Sequence, residues 1–236
     1  IGGEIEGGDT PAEPEEGDYV DEYGINHGQG VEIDGVVWAP VNCGYHATDY
    51  KYGKLYQWGR KYGQGYDSSD ASVPELVAGP VSLATGQSKD NENKFYYNSS
   101  SPWDWCDTPY DNLWNSGTED NPVKTEYDPC PPGYRVPDGG HDGAFKKAGL
   151  SGWLSFNGTN KGMMFGTLNP ASWFPASGFR YFDDASIGYV GVDGYYWSVT
   201  PSQTDGYYMY FNYGGYVDPA FSNYRSFGFA VRCQKK

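Results

Sequence analysis

Four cysteines, Cys43, Cys106, Cys130 and Cys233, are the most reactive side chains in this sequence of 236 residues. Such a set can hold a metal, supply a catalytic thiol or form disulfides. Neither a CxxC pair nor the Cys–His spacing of a zinc site is present, so metal binding by these residues is not expected. Disulfides in an oxidising compartment fit a loop-rich chain better, and several pairings are open to four cysteines. The histidines, His27, His46 and His141, have acidic neighbours at short spacing (Asp49 after His46, Asp142 beside His141), but surface polar contacts explain them. No GxSxG, HExxH, P-loop or strand-borne GxGxxG occurs. No catalytic residue, cofactor or metal is therefore expected.

Two further chemistries need oxygen ligands or paired carboxylates. Asp90-Asn91-Glu92-Asn93, Asp111-Asn112 and Asp183-Asp184 have the hard donors calcium requires. The EPN and QPD tripeptides of calcium-dependent sugar binding are missing, and solvated acidic turns are the expected role. A glycosidase needs two carboxylates about 5–9.5 Å apart across a cleft, and a chain this acidic supplies candidates anywhere. A carbohydrate-active enzyme thus stands as one alternative reading.

Aromatic contact is the remaining chemistry. The chain carries 8 Trp, 23 Tyr and 11 Phe, a large excess over ordinary domains. Trp103, Trp105 and Trp114 sit in polar, turn-rich sequence, where burial in a main core is not forced. They are the candidate ligand-binding residues, since exposed aromatics stack on sugars or fill partner pockets. A small satellite core is the competing role for them. The Tyr195-Tyr196-Trp197 and Tyr207-Tyr208-Met209-Tyr210 runs are expected to alternate between core and surface.

The elements that would position these residues are short. With 34 Gly and 16 Pro, long helices are disfavoured. A formal charge of −15 argues against nucleic-acid or anionic-membrane partners. No segment approaches the ~18 apolar residues of a membrane-spanning helix. Residues 1–18 read as a flexible acidic linker, followed by one domain over 19–236 with a structured insertion at about 61–124. Asp34-Gly35 between Val31-Glu32-Ile33 and Val36-Val37-Trp38 is a strong hairpin signal. Strands are expected around 163–165, 171–174, 195–199, 207–211 and 227–233, with Gly139 to Leu150 the best short helix. The fold class is α+β: β-rich, with one or two short helices and long loops.

The motifs Leu55-Tyr56-Gln57-Trp58-Gly59-Arg60, Cys130-Pro131-Pro132-Gly133-Tyr134-Arg135-Val136-Pro137, Tyr195-Tyr196-Trp197-Ser198 and Val231-Arg232-Cys233 follow one another in an order with a known counterpart. It resembles the Fibrobacter succinogenes major paralogous domain family over roughly 36–234, with Tyr134 where that family usually has Trp. The WAPVNCGY and YGKLYQWGRKYGQGY stretches are similar to Bacteroides-type surface chains grouped with fimbria-associated adhesins. The resemblance implies a C-type-lectin-like domain of an exported surface protein or lipoprotein, and a Cys130–Cys233 disulfide. By elimination Cys43 would then pair with Cys106. It also implies a non-catalytic binding module, an adhesin recognising glycan or protein at the cell surface. A structural subunit docking on a fimbria is the second alternative.

Overall fold

The computed structural model describes residues 13–47, 52–66, 74–166 and 172–236. The first twelve residues of the expected linker lie outside the described residues. The fold is β-rich, and its two α-helices among the described residues are single turns, Leu83–Gly86 and Ala144–Lys147. The second lies within the expected 139–150 helix. It is confined to one turn because a glycine without a side-chain hydrogen bond caps it and Gly149 follows with φ +69°.

The expected hairpin joins Val31–Ile33 to Val36–Trp38. Asp34 and Gly35 both have positive φ, as a type I′ turn demands. The chain's end completes this sheet: Gln234 pairs with both Trp38 and Arg135, placing Gln234–Lys235 between the hairpin and Tyr134–Arg135. Beside it Cys130 is bonded to Cys233, with Cα atoms 5.9 Å apart and a separation of 103 in sequence. A loop of that size is worth roughly 4–5 kcal/mol on the chain-entropy model. Asp128 sets the approach, accepting from Cys130 N at 2.8 Å and Val136 N at 2.9 Å.

A second sheet runs Ile187–Gly188, Phe179–Arg180, Gly228–Phe229, Tyr56–Gln57. Here two of the sequence motifs interlock. Trp58 Nε1 donates to Ser198 O and Trp197 Nε1 to Tyr56 O, both at 2.8 Å. Each buried indole thus satisfies its one donor on the other motif's backbone.

The third sheet positions the candidate site. Gly194–Ser202, Asp205–Phe211 and Tyr216–Tyr224 form an antiparallel meander, edged by Gly152–Trp153. Because strand side chains alternate, the sheet has two different faces. Tyr196, Met209, Phe211 and Val217 point into a core shared with Trp38, Phe145, Met163 and Phe174. Tyr195, Trp197, Tyr208, Tyr210, Tyr216 and Phe221 fall on the other face by their register.

The 75–124 stretch has structure of its own. Glu75–Ala78 pairs in parallel with Lys94–Tyr97, and Tyr96, Trp105, Cys106 and Leu113 make a small separate cluster. Arg60, 0% exposed, ties this layer to the body through Gly86 O, Lys94 O and Gln57 Oε1. Its guanidinium lies 4.9 Å from the Tyr96 ring centre, and burial lowers its pKa to about 10.

Candidate functional site

The three tryptophans expected to contact a ligand part company. Trp105 and Trp114 are both 0% exposed. Their indoles donate to Trp58 O (2.7 Å) and Arg60 O (3.1 Å). A Cβ on Gly86 would come within 2.1 Å of the Trp105 ring, so that indole is packed against bare backbone. Trp105 belongs to the satellite cluster and Trp114 to the main core beside Trp58, and neither can meet a ligand. Trp103 is half-buried, with φ +58°, and stacks on Tyr224 at 4.5 Å with the planes 24° apart. Its carbonyl accepts from Ser226 N (3.1 Å) and Ser226 Oγ (2.6 Å).

The expected Cys43–Cys106 disulfide is corrected: both are free, buried thiols. Pairing by elimination assumed that every cysteine has a partner. Cys106 instead belongs to the satellite cluster, while Cys43 lies beside the Cys130–Cys233 bond.

This other face of the third sheet packs largely into the main core with Phe179, Phe227 and Phe229, and opens at half-buried Tyr195 and Tyr210 and at Phe221, which is 40% exposed. Phe179, Tyr195, Tyr208 and Tyr210 line a concavity of about 300 Å³ together with Phe221, Asn223, Phe227 and Phe229. Tyr195 lies opposite Tyr210, and Tyr208 opposite Phe221, in the strand register. Their rings sit 5.2 Å and 6.0 Å apart, within the range of favourable aromatic pairs. Phe227 continues the surface to Tyr224, and so to Trp103. Along the strands it continues through Tyr216 to Trp153, whose ring centres are 5.4 Å apart.

Polar groups fix the tyrosines. Asp193, 5% exposed, accepts from the hydroxyls of Tyr195 (3.3 Å) and Tyr210 (3.2 Å) through Oδ2. Burial raises its pKa, and the two phenols oppose that rise by stabilising the carboxylate. Tyr216 donates to Asp218 Oδ2 at 3.1 Å. Desolvation raises the Tyr195 phenol pKa well above its ordinary range, with the Asp193 charge adding to it. These hydroxyls therefore remain neutral donors.

Sequence reasoning missed Phe221, Asn223 and Asp193. The Tyr216–Tyr224 strand contains Pro219, which normally argues against an interior strand. In the fold Pro219 falls where the register slips between Tyr208–Phe221 and Tyr210–Asp218. A bulge there needs no ladder hydrogen bond from proline.

The acidic runs considered for calcium are engaged locally. Glu92 pairs with Lys89, Asp111 with Arg225 at 2.6 Å, and Asp184 Oδ1 accepts from Ser186 N and Oγ. His27 Nε2 lies 2.7 Å from Asp21. A larger cleft of about 810 Å³ carries Glu22, Glu92 and Asp128 with lysine partners Lys54, Lys89 and Lys124.

A family described only as a domain of unknown function, DUF8237, has a model that matches residues 160–234. No curated protein and no solved structure matches the chain. The matched segment contains every residue lining the aromatic concavity and none of Trp103, Trp105 and Trp114.

Proposed function

We propose that the chain is a non-catalytic binding module of an exported bacterial surface protein, and that the aromatic concavity takes a neutral glycan. One observation carries this reading. Half-buried Tyr195 and Tyr210 offer flat rings with neutral hydroxyls, beside exposed Phe221 and the amide of Asn223. A sugar ring has the complementary pattern, an apolar C–H face bordered by hydroxyls. The surplus of negative charge, −15 overall, disfavours an acidic glycan.

The Cys130–Cys233 bond supports an oxidising location. The clasp of the terminal strand onto Val36–Trp38 and Tyr134–Arg135 supports the C-type-lectin-like fold of the resemblance. Tethering through the acidic N-terminal stretch, and membership of a fimbrial or adhesive surface structure, complete the proposal.

A second reading, docking on a neighbouring protein subunit, is favoured by the same sheet's exposed rim. Trp153 is 76% and Tyr213 71% exposed. Glycan-array binding by the purified chain, repeated with Tyr210→Ala, separates the two. Binding that Tyr210→Ala abolishes supports the glycan reading. No glycan bound, together with capture of a purified fimbrial subunit that Trp153→Ala abolishes, supports the second and overturns the first.

A further inference from the structure

The sulfurs of Cys43, Cys130 and Cys233 all lie within 4.8 Å of one another, yet only two of them are bonded. Such a triad has a second way to pair. Cys43 Sγ donates to Pro129 O at 3.3 Å, the carbonyl immediately before Cys130. Tyr56 donates its hydroxyl to Cys43 Sγ at 3.3 Å. The Tyr19 hydroxyl lies 3.9 Å from Cys233 Sγ, and since a disulfide sulfur has no proton, the phenol is the donor. Each of the two sulfurs that would carry charge during an exchange therefore faces a phenol. Two surface clefts flank the triad, one lined by Cys130 and the other, of about 430 Å³, by Cys43.

We infer that Cys43 is the attacking thiol of an internal thiol–disulfide exchange that moves the bond from Cys130–Cys233 to Cys43–Cys130. Cys43 gives its proton to solvent hydroxide, and the thiolate attacks Cys130 Sγ. The new bond forms as Cys130–Cys233 breaks. Cys233 leaves as a thiolate beside Tyr19 and takes a proton from water. No oxidant or reductant is consumed. The product frees the terminal strand from its covalent clasp, leaving it held by strand pairing and by Ala39 N donating to Cys233 O at 2.8 Å.

Burial sets the pace. Desolvation pushes the Cys43 thiol up to about 12, with Glu22 and Asp128 raising it further while the Tyr56 hydrogen bond and Lys54 pull it down. Lys124 and Tyr19 are the other titratable groups coupled to it. The thiolate is scarce at neutral pH, so the native bond persists and exchange speeds up about tenfold per pH unit.

The full chain, held without denaturant near ~pH 7 and ~pH 9, is acid-quenched, capped with N-ethylmaleimide and digested without reduction. The Cys43 peptide is expected joined to that of Cys130, with Cys233 capped, forming about a hundredfold faster at the higher pH. Cys43→Ser abolishes the product. Tyr56→Phe, which keeps the ring packed, slows it several-fold. Three results would overturn the assignment: Cys130–Cys233 alone throughout, a Cys43–Cys233 product, or exchange only after denaturant is added. Glycan binding plays no part in this readout.

Discussion

The 75–124 layer and the meander near the C-terminus are both rich in aromatics and use them in opposite ways. In the first, Trp105 and Trp114 are completely enclosed, and each indole donor ends on a backbone carbonyl of the Trp58–Arg60 segment. In the second, Tyr195 and Tyr210 stay half-buried at the edge of a concavity, and their hydroxyls meet a buried carboxylate. A donor-only indole suits a lock, because one hydrogen bond satisfies it. A phenol both donates and accepts, so it can be anchored from behind and still present polar capacity outward. Polarity of the flanking sequence therefore does not decide exposure. The partner available to the ring's polar atom does.

The largest effect should come from removing a lock. Trp105→Ala deletes a fully enclosed indole and is expected to lower stability by about 3–5 kcal/mol. Denaturant melts would read that loss. Glycan affinity per folded molecule should stay unchanged, and a matched fall in affinity at full folding would break the contrast between the two regions.

Next in size is a pH effect in the same layer. Asp104 is buried, with one oxygen accepting from Cys106 N at 3.0 Å and the other 3.9 Å from Arg225. Desolvation raises its carboxyl from 3.8 to about 6. The folded state thus favours the protonated form. The associated stability is fully present below the ordinary carboxylate pKa and is lost as pH rises to about 6, on the order of 3 kcal/mol. Asp104→Asn keeps an acceptor for Cys106 N and removes the charge. Its advantage over wild type in urea melts should grow between ~pH 4 and ~pH 6 and then level off. An advantage that does not vary with pH would sink this account.

Much of this architecture is written locally in the chain. Asp34-Gly35 specifies its turn by backbone conformation, and the alternation in 195–199 and 207–211 specifies two-faced strands. The proline-rich Cys130 loop and the terminal Phe227, Phe229, Val231 alternation mark the central clasp, and all three of those apolar residues enter the core. What was illegible depended on distant partners. Trp105 and Trp114 are buried by Gly86 and by carbonyls about fifty residues away. Cys43 is placed by its bond to Val231 O, not by any cysteine spacing. Pro219 hides its strand because the bulge that tolerates it exists only once Asp205–Phe211 lies alongside.

On the open face the expected changes are in binding. Tyr210→Ala removes a ring from the middle of the concavity and should weaken glycan affinity by at least about 2 kcal/mol, roughly thirtyfold. Tyr210→Phe keeps the ring and deletes only the hydroxyl's bonds to Asp193 and Asn212, so its loss should be smaller. Equal losses in titration calorimetry would mean that the hydroxyl, and not the ring, recognises the ligand.

The smallest stability change belongs to Trp153→Ala, since a ring 76% exposed contributes little to folding, within about 0.5 kcal/mol. Its value is in reading how far the ligand extends. Trp153 packs at a tilt against Tyr216, which lies 6.4 Å from Tyr210 by ring centres, so the three rings form a row leading away from the concavity. On the glycan reading, a ligand of one sugar unit would cover Tyr195 and Tyr210 without reaching the outermost ring. Removing Trp153 should leave monosaccharide affinity unchanged while weakening a longer oligosaccharide several-fold. If both ligands weaken alike, the concavity and the rim are not separate subsites, and the outward row is one platform whose middle ring holds no special place.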